Sequence, residues 1–145
     1  MNNQDFTTTI VVNSTPEAAY QAINNVRGWW LGQIEGPTDQ LNDEFSYRNH
    51  GIHYSKHRIT ELLPGKKVAW LTTDSSLEFV EDKNEWTGTS ITFDIAGAGN
   101  QTEIRFTHHG LVPSCPCFGA CSGGWTHFIN GSLQSFIDTG KGKPM

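Results

Sequence analysis

Apolar and polar positions alternate near the start of the chain, where Phe6, Thr8, Ile10 and Val12 are interleaved with polar Thr7, Thr9 and Asn13. That spacing places every second side chain on one face and predicts a strand, interrupted only by Val11. The pattern stops at Ser14-Thr15-Pro16-Glu17. Thr15 is placed to cap a helix whose first position is Pro16, where a missing N–H costs nothing. Ala19, Ile23, Val26 and Trp30 follow at helical intervals, with Tyr20 widening the stripe. Gly28 is expected to divide this stretch into two short helices, the second carrying Trp29, Trp30 and Leu31.

Strands then dominate from residue 43 to residue 109. Phe45 and Tyr47 begin one, His53–Leu62 forms the next, and Pro64-Gly65 turns the chain. Lys67–Thr73 makes a third strand. Residues 74–87 are polar and broken, with a short strand expected around Leu77-Glu78-Phe79-Val80. Ile91, Phe93 and Ile95 alternate cleanly, Gly97-Ala98-Gly99-Asn100 forms a hairpin turn, and Ile104 and Phe106 continue the pattern on the returning strand. The period then changes. Cys121, Trp125, Phe128, Ile129, Leu133, Phe136 and Ile137 recur at three- and four-residue steps, predicting an amphipathic helix over 121–139 that Gly140 and Pro144 end. Gly123, Gly124 and Gly131 weaken that helix by about 1 kcal/mol each relative to alanine. The element order is a strand, two short helices, five or six antiparallel strands and one long helix. A sheet with one apolar face needs a cover, so the expected fold is α+β, a curved antiparallel sheet gripping the C-terminal helix.

Composition narrows the function classes. At 145 residues and 16.1 kDa, the chain is expected to form one domain over residues 1–145. A net charge of −5 repels phosphates and excludes nucleic acid as a first choice of partner. No apolar run approaches the ~20 residues of a membrane span. Met1-Asn2-Asn3-Gln4-Asp5 has neither the basic start nor the apolar stretch of an export signal, so the expected location is cytoplasmic. Disulfides among the three cysteines are not expected there.

Several motifs resemble the START-like helix-grip (SRPBCC) superfamily. Thr15-Pro16-Glu17-Ala18-Ala19-Tyr20 opens the first helix and Trp29-Trp30 follows in the second. Ile59-Thr60-Glu61-Leu62-Leu63-Pro64 enters a turn, and Thr107-His108-His109-Gly110-Leu111 follows the last strand. Gly124-Trp125, Leu133, Phe136-Ile137 and Thr139-Gly140-Lys141-Gly142 complete the set along the long helix. Within the superfamily the chain looks like the branch named for the activator of heat-shock protein 90 ATPase. The resemblance spans nearly the whole chain. It implies a hydrophobic cavity between sheet and helix, used across the superfamily for lipids, sterols, polyketides or other apolar ligands, with some members acting as cyclases or lyases. No cofactor is implied.

The chemistry-bearing residues fit that implication without fixing a reaction. His108 shares parity with Ile104 and Phe106 and is expected to point inward, with His109 outward. His53 and His57 share parity with Ile59 and face the same chamber. An inward imidazole is either a hydrogen-bonded core residue or a group that orients a ligand or moves a proton. Trp29, Trp30, Tyr47, His57, Trp70, Phe106, His108, Trp125 and Phe128 are the expected ligand-binding residues. Cys115-Pro116-Cys117 with Cys121, near His108, His109 and His127, invites a zinc reading. One proline between the first two cysteines falls short of the usual two to four spacer residues, so no metal is expected. Gly97-Ala98-Gly99 lacks the rest of a dinucleotide fingerprint, and Glu81-Asp82 reads as solvated loop charge. The expected activity is binding of a small apolar molecule without a defined reaction. The alternatives are a cyclase, dehydratase or lyase acting through His108 with a tyrosine or histidine partner, and a chaperone cofactor or protein-interaction domain. A homodimer is left open.

Overall fold

The computed structural model describes residues 5–30, 32–49, 53–77, 86–113 and 118–142. Strand β1 (Phe6–Val12) leads into α1 (Pro16–Asn24) and α2 (Val26–Trp29). Six more strands follow: β2 (Gln33–Glu35), β3 (Glu44–Asn49), β4 (His53–Leu63), β5 (Lys67–Leu77), β6 (Ser90–Ala98) and β7 (Gln101–His109). The C-terminal helix begins as α3 (Phe118–Thr126), passes through a π-helical segment (His127–Leu133) and ends as α4 (Gln134–Thr139). The strands form one curved antiparallel sheet in the order β1-β7-β6-β5-β4-β3-β2. None of the described helices is long and apolar enough to cross a membrane.

The start of α1 follows the local chemistry. Thr15 is extended, its hydroxyl accepts the Ala18 N–H at 3.1 Å, and Pro16 occupies the first helical position. Thr15→Ala is expected to lower stability by about 1 kcal/mol in urea unfolding, and no change would mean that solvent satisfies the freed N–H equally well. The break between the two short helices falls at Asn25, not at Gly28. Gly28 lies inside α2 because a Cβ there would run into the Phe136 ring of α4. It is a close-approach glycine.

β5 runs four residues past Thr73, to Leu77. The alternation expected of it breaks because the β4–β5 register shifts between Lys56 and His57, leaving Thr73 unpaired opposite them. Val68, Trp70 and Thr72 point inward before this bulge, Ser75 and Leu77 after it. A second bulge between Ile59 and Glu61 bends β4 again. The 78–80 part of the short strand expected around Leu77 lies outside the described residues, as do Glu81, Asp82, Cys115 and Cys117. The hairpin between β6 and β7 turns at Gly99-Asn100, with Gly99 at φ 65°.

The inward faces of the strands and the buried face of the C-terminal helix share one core. Trp29, Trp30 and Trp70 lie nearly parallel at its centre, with interplanar angles of 12° or less. The π-helical segment meets α2 through Ser132, whose hydroxyl donates to the Trp29 carbonyl at 2.6 Å. Further along the helix, Gln134 donates to the Val11 carbonyl and Asp138 accepts the Asn13 N–H, covering the edge of β1. Gly140, at φ 87°, caps the end of α4.

Candidate functional site

Beneath α3 the sheet and helix enclose an open-mouthed cavity of about 320 Å³, at the small end of ligand pockets. Tyr47 and Asn49 reach it from one face of β3, and His53, in register with Asn49, reaches it from β4. Trp30, at the end of α2, and Trp86, just ahead of β6, supply two aromatic walls. The helix contributes Ala120, Cys121, Gly124 and Trp125 from α3 and Phe128 from the first turn of the π-helical segment. A Cβ on Gly124 would meet nothing within 4 Å, so this glycine leaves space in the roof and is not demanded by packing.

The walls are tightly organised. Trp30 stacks on Tyr47 at 4.0 Å, and Trp86 lies parallel to Trp125 at 5.6 Å. Trp86 lies perpendicular to two imidazoles, His53 at 4.7 Å and His108 at 4.8 Å. Its own indole N–H is buried and has no hydrogen-bond partner among the described residues. An unpaired buried donor of this kind costs about 1–3 kcal/mol and is a feature that functional sites tolerate.

Behind the lining, two polar chains fix the histidines. Trp125 donates its indole N–H to His108 Nδ1 at 3.0 Å. An indole nitrogen can only donate, so the His108 proton sits on Nε2 and is given to the Thr89 hydroxyl at 2.8 Å. Thr89 in turn donates to the Trp86 carbonyl at 2.6 Å. The second chain links His53 Nε2 to Ser55 Oγ (3.1 Å), Ser55 Oγ to His57 Nε2 (2.9 Å) and His57 Nδ1 to Thr72 Oγ1 (3.0 Å). Burial holds all three imidazoles neutral. It lowers His53 to about 4 and His108 to about 3, the latter helped by the nearby His109. His57 is pushed well below its usual value by burial, with His108 and His53 adding repulsion. Burial likewise raises the Tyr47 phenol to about 12, against the opposing hydrogen bond from Asn49.

Of the nine residues expected from sequence, the structure brings Trp30, Tyr47, Trp125 and Phe128 together in the cavity wall. It places Trp29, His57, Trp70, Phe106 and His108 fully buried outside the lining. His108 therefore stands one layer behind the cavity, with both ring nitrogens bonded to protein. Sequence reasoning missed Asn49, Trp86, Ala120, Cys121 and Gly124. Asn49 was within reach, since it shares parity with Tyr47. Trp86 follows a polar stretch with no period, so nothing in the pattern pointed to it. Among the described residues no cluster of three or more His, Cys, Asp or Glu side chains could hold a metal ion.

A second depression, between Tyr20, Asn24, Arg27 and the Pro37-Thr38-Asp39 turn, is polar. Its guanidinium is already used, since Arg27 donates to the Ile34 and Gly36 carbonyls.

No family model and no curated protein matches the chain. Among solved structures, the Aha1 dimer from Colwellia psychrerythraea superposes with a TM-score of 0.78 at 27% identity, covering 96% of this chain and 99% of that one. The chain has the START-like helix-grip fold. Two more distant helix-grip neighbours show the same architecture. SSP2350 from Staphylococcus saprophyticus matches with a TM-score of 0.71 at 13% identity, over 97% of this chain and 96% of that one. DynU16, from the dynemicin biosynthetic locus, matches with a TM-score of 0.67 at 13% identity, over 95% of this chain. That match covers 48% of the DynU16 chain.

Proposed function

We propose that this helix-grip domain binds one small hydrophobic molecule in the cavity beneath α3. The observation that carries this reading is an open-mouthed space of about 320 Å³ with aromatic walls and no charged side chain among the described residues that line it. Burying a ligand with roughly 300 Å² of apolar surface is worth about 7 kcal/mol at 25 cal/mol per Å². That figure corresponds to about 10 μM before the entropic costs of association are subtracted, so the expected affinity is weaker than that. Binding is favoured over catalysis because His57 and His108 have both ring nitrogens committed to protein partners. No catalytic residue is assigned.

The test uses tryptophan emission, since Trp30, Trp86 and Trp125 all border the cavity. Titrating naphthalene or a comparable neutral bicycle is expected to quench or shift that emission with saturation. Gly124→Leu puts a side chain into the open roof and is expected to abolish the response. It should also raise the melting temperature, because glycine is about 0.8–1 kcal/mol poorer in a helix. Unchanged binding in this variant would place the ligand elsewhere and sink the reading.

A second reading, homodimerisation, is favoured by one observation: the Colwellia neighbour was solved as a dimer. Light scattering during gel filtration is expected to give twice the 16.1 kDa of the chain, and the monomer mass would dismiss it.

A further inference from the structure

We propose that His53 reads the hydrogen-bonding group of the bound molecule, and that this molecule is an uncharged aromatic bearing a hydroxyl or carbonyl. The inference rests on the proposed binding cavity and specifies what it accepts.

Three observations lead there. First, His53 is the histidine that lines the cavity, and its Nδ1 carries no hydrogen bond among the described residues. His57 and His108 have no such free nitrogen. Second, the chain behind His53 can run in either direction. In one direction His53 Nε2–H donates to Ser55, Ser55 donates to His57 Nε2, and His57 Nδ1–H donates to Thr72. His53 Nδ1 is then a bare acceptor facing a ligand hydroxyl. In the reverse direction Thr72 donates to His57 Nδ1, His57 Nε2–H donates to Ser55, and Ser55 donates to His53 Nε2. The His53 proton then sits on Nδ1 and faces a ligand carbonyl. Both directions satisfy each of the three hydrogen bonds with both imidazoles neutral, because each hydroxyl can donate or accept, and both leave His53 Nδ1 for a ligand.

Third, none of the described residues that line the cavity offers a counter-charge. Its polar lining is Tyr47, Asn49 and His53, and burial keeps the phenol protonated and the imidazole neutral around pH 7. A carboxylate or ammonium brought here would lose its hydration without gaining a counter-charge. A hydroxyl or carbonyl needs one hydrogen bond, which His53 supplies. The flat walls made by Trp86 and Trp125 suit a planar ring system between β4 and α3.

The experiment compares four molecules of one skeleton at about pH 7, where only naphthoate is ionised: naphthalene, naphthol, acetylnaphthalene and naphthoate. Naphthol and acetylnaphthalene are expected to bind about tenfold tighter than naphthoate and several-fold tighter than naphthalene. In His53→Phe, which keeps a ring against Trp86, that advantage over naphthalene should fall below about twofold while naphthalene itself still binds. A measurement on the unaltered protein covers the case in which the variant does not fold. Imidazole nitrogen chemical shifts should show the His53 proton on Nδ1 once acetylnaphthalene saturates the site. Equal affinity for naphthoate and naphthol, an advantage untouched by His53→Phe, or a proton remaining on Nε2 with acetylnaphthalene bound would each overturn the inference. Those outcomes leave the cavity reading standing if Gly124→Leu still removes naphthalene binding. Failure of all four molecules to bind would reject both.

Discussion

Trp70→Ala is expected to destabilise the protein by about 3–5 kcal/mol, the range for deletion of a large core aromatic. Trp70 is wholly buried on β5 and is the hub of the aromatic stack, meeting Trp29 and Trp30 face to face and Phe45 and Phe93 edge on. Removing it opens a void among rings whose positions are set by α2, β3 and β6, so little collapse can refill it. Trp70→Phe is the informative companion. The Trp70 N–H has no hydrogen-bond partner among the described residues, so phenylalanine removes a buried unpaired donor along with volume. Urea unfolding should therefore rank Trp70→Phe well above Trp70→Ala, by about 2 kcal/mol or more. A small loss in the alanine variant, below about 1 kcal/mol, would mean that the stack is not the centre of the core.

Alternation was a sound guide wherever a strand has one apolar face and an unbroken register. β1, β6 and β7 are of that kind, and the inward parity of Ile91, Phe93, Ile95, Ile104, Phe106 and His108 holds through both hairpin strands. The same rule stopped early on β5 because the bulge at Thr73 switches the inward set from even to odd positions. A bulge is a decision of pairing, and pairing is not written in one strand alone. The helix break at Asn25 in place of Gly28 has a similar cause. Propensity alone makes glycine a breaker, whereas the Phe136 ring, more than a hundred residues away, is what requires it here.

The C-terminal stripe predicts the helix over 121–139, which the structure starts at Phe118, and the burial of Phe128 and Ile129, but not the π-helical segment His127–Leu133. The wider turn of that segment brings Ser132 inward to the Trp29 carbonyl, a polar residue that no apolar stripe would select. For the site, the aromatic members were legible because large rings at core-facing positions serve both core and cavity. Which of them border the empty space was not, since that depends on the small residues opposite. Ala120 and Gly124 create the space by what they lack, and an absence of side chain has no periodic signature.

Acidification is expected to unfold the protein over a window set by its buried histidines. In the unfolded chain these imidazoles take up protons around pH 6.5, but in the folded protein His53 resists until about 4 and His108 until about 3. His57 is likewise held below its unfolded value. Between those limits the unfolded state binds more protons than the folded one, so stability falls as pH falls. At about 1.4 kcal/mol per pH unit for each fully resisting group, the loss by pH 4 is several kcal/mol, comparable to the whole stability of a domain. His53 contributes less than its shift implies because its ring is partly open to solvent at the cavity. His108 is the cleaner probe. Burial is its main constraint, His109 repels its charged form and Asp5 partly offsets that. His108→Gln supplies an amide oxygen to accept from Trp125 and an amide N–H to donate to Thr89, keeping both bonds without a titrating group. Urea midpoints followed from pH 7 to pH 4 should fall less steeply in this variant than in the unaltered protein. Parallel slopes would show that His108 does not resist protonation in the folded state and that the acid limit is set by other groups.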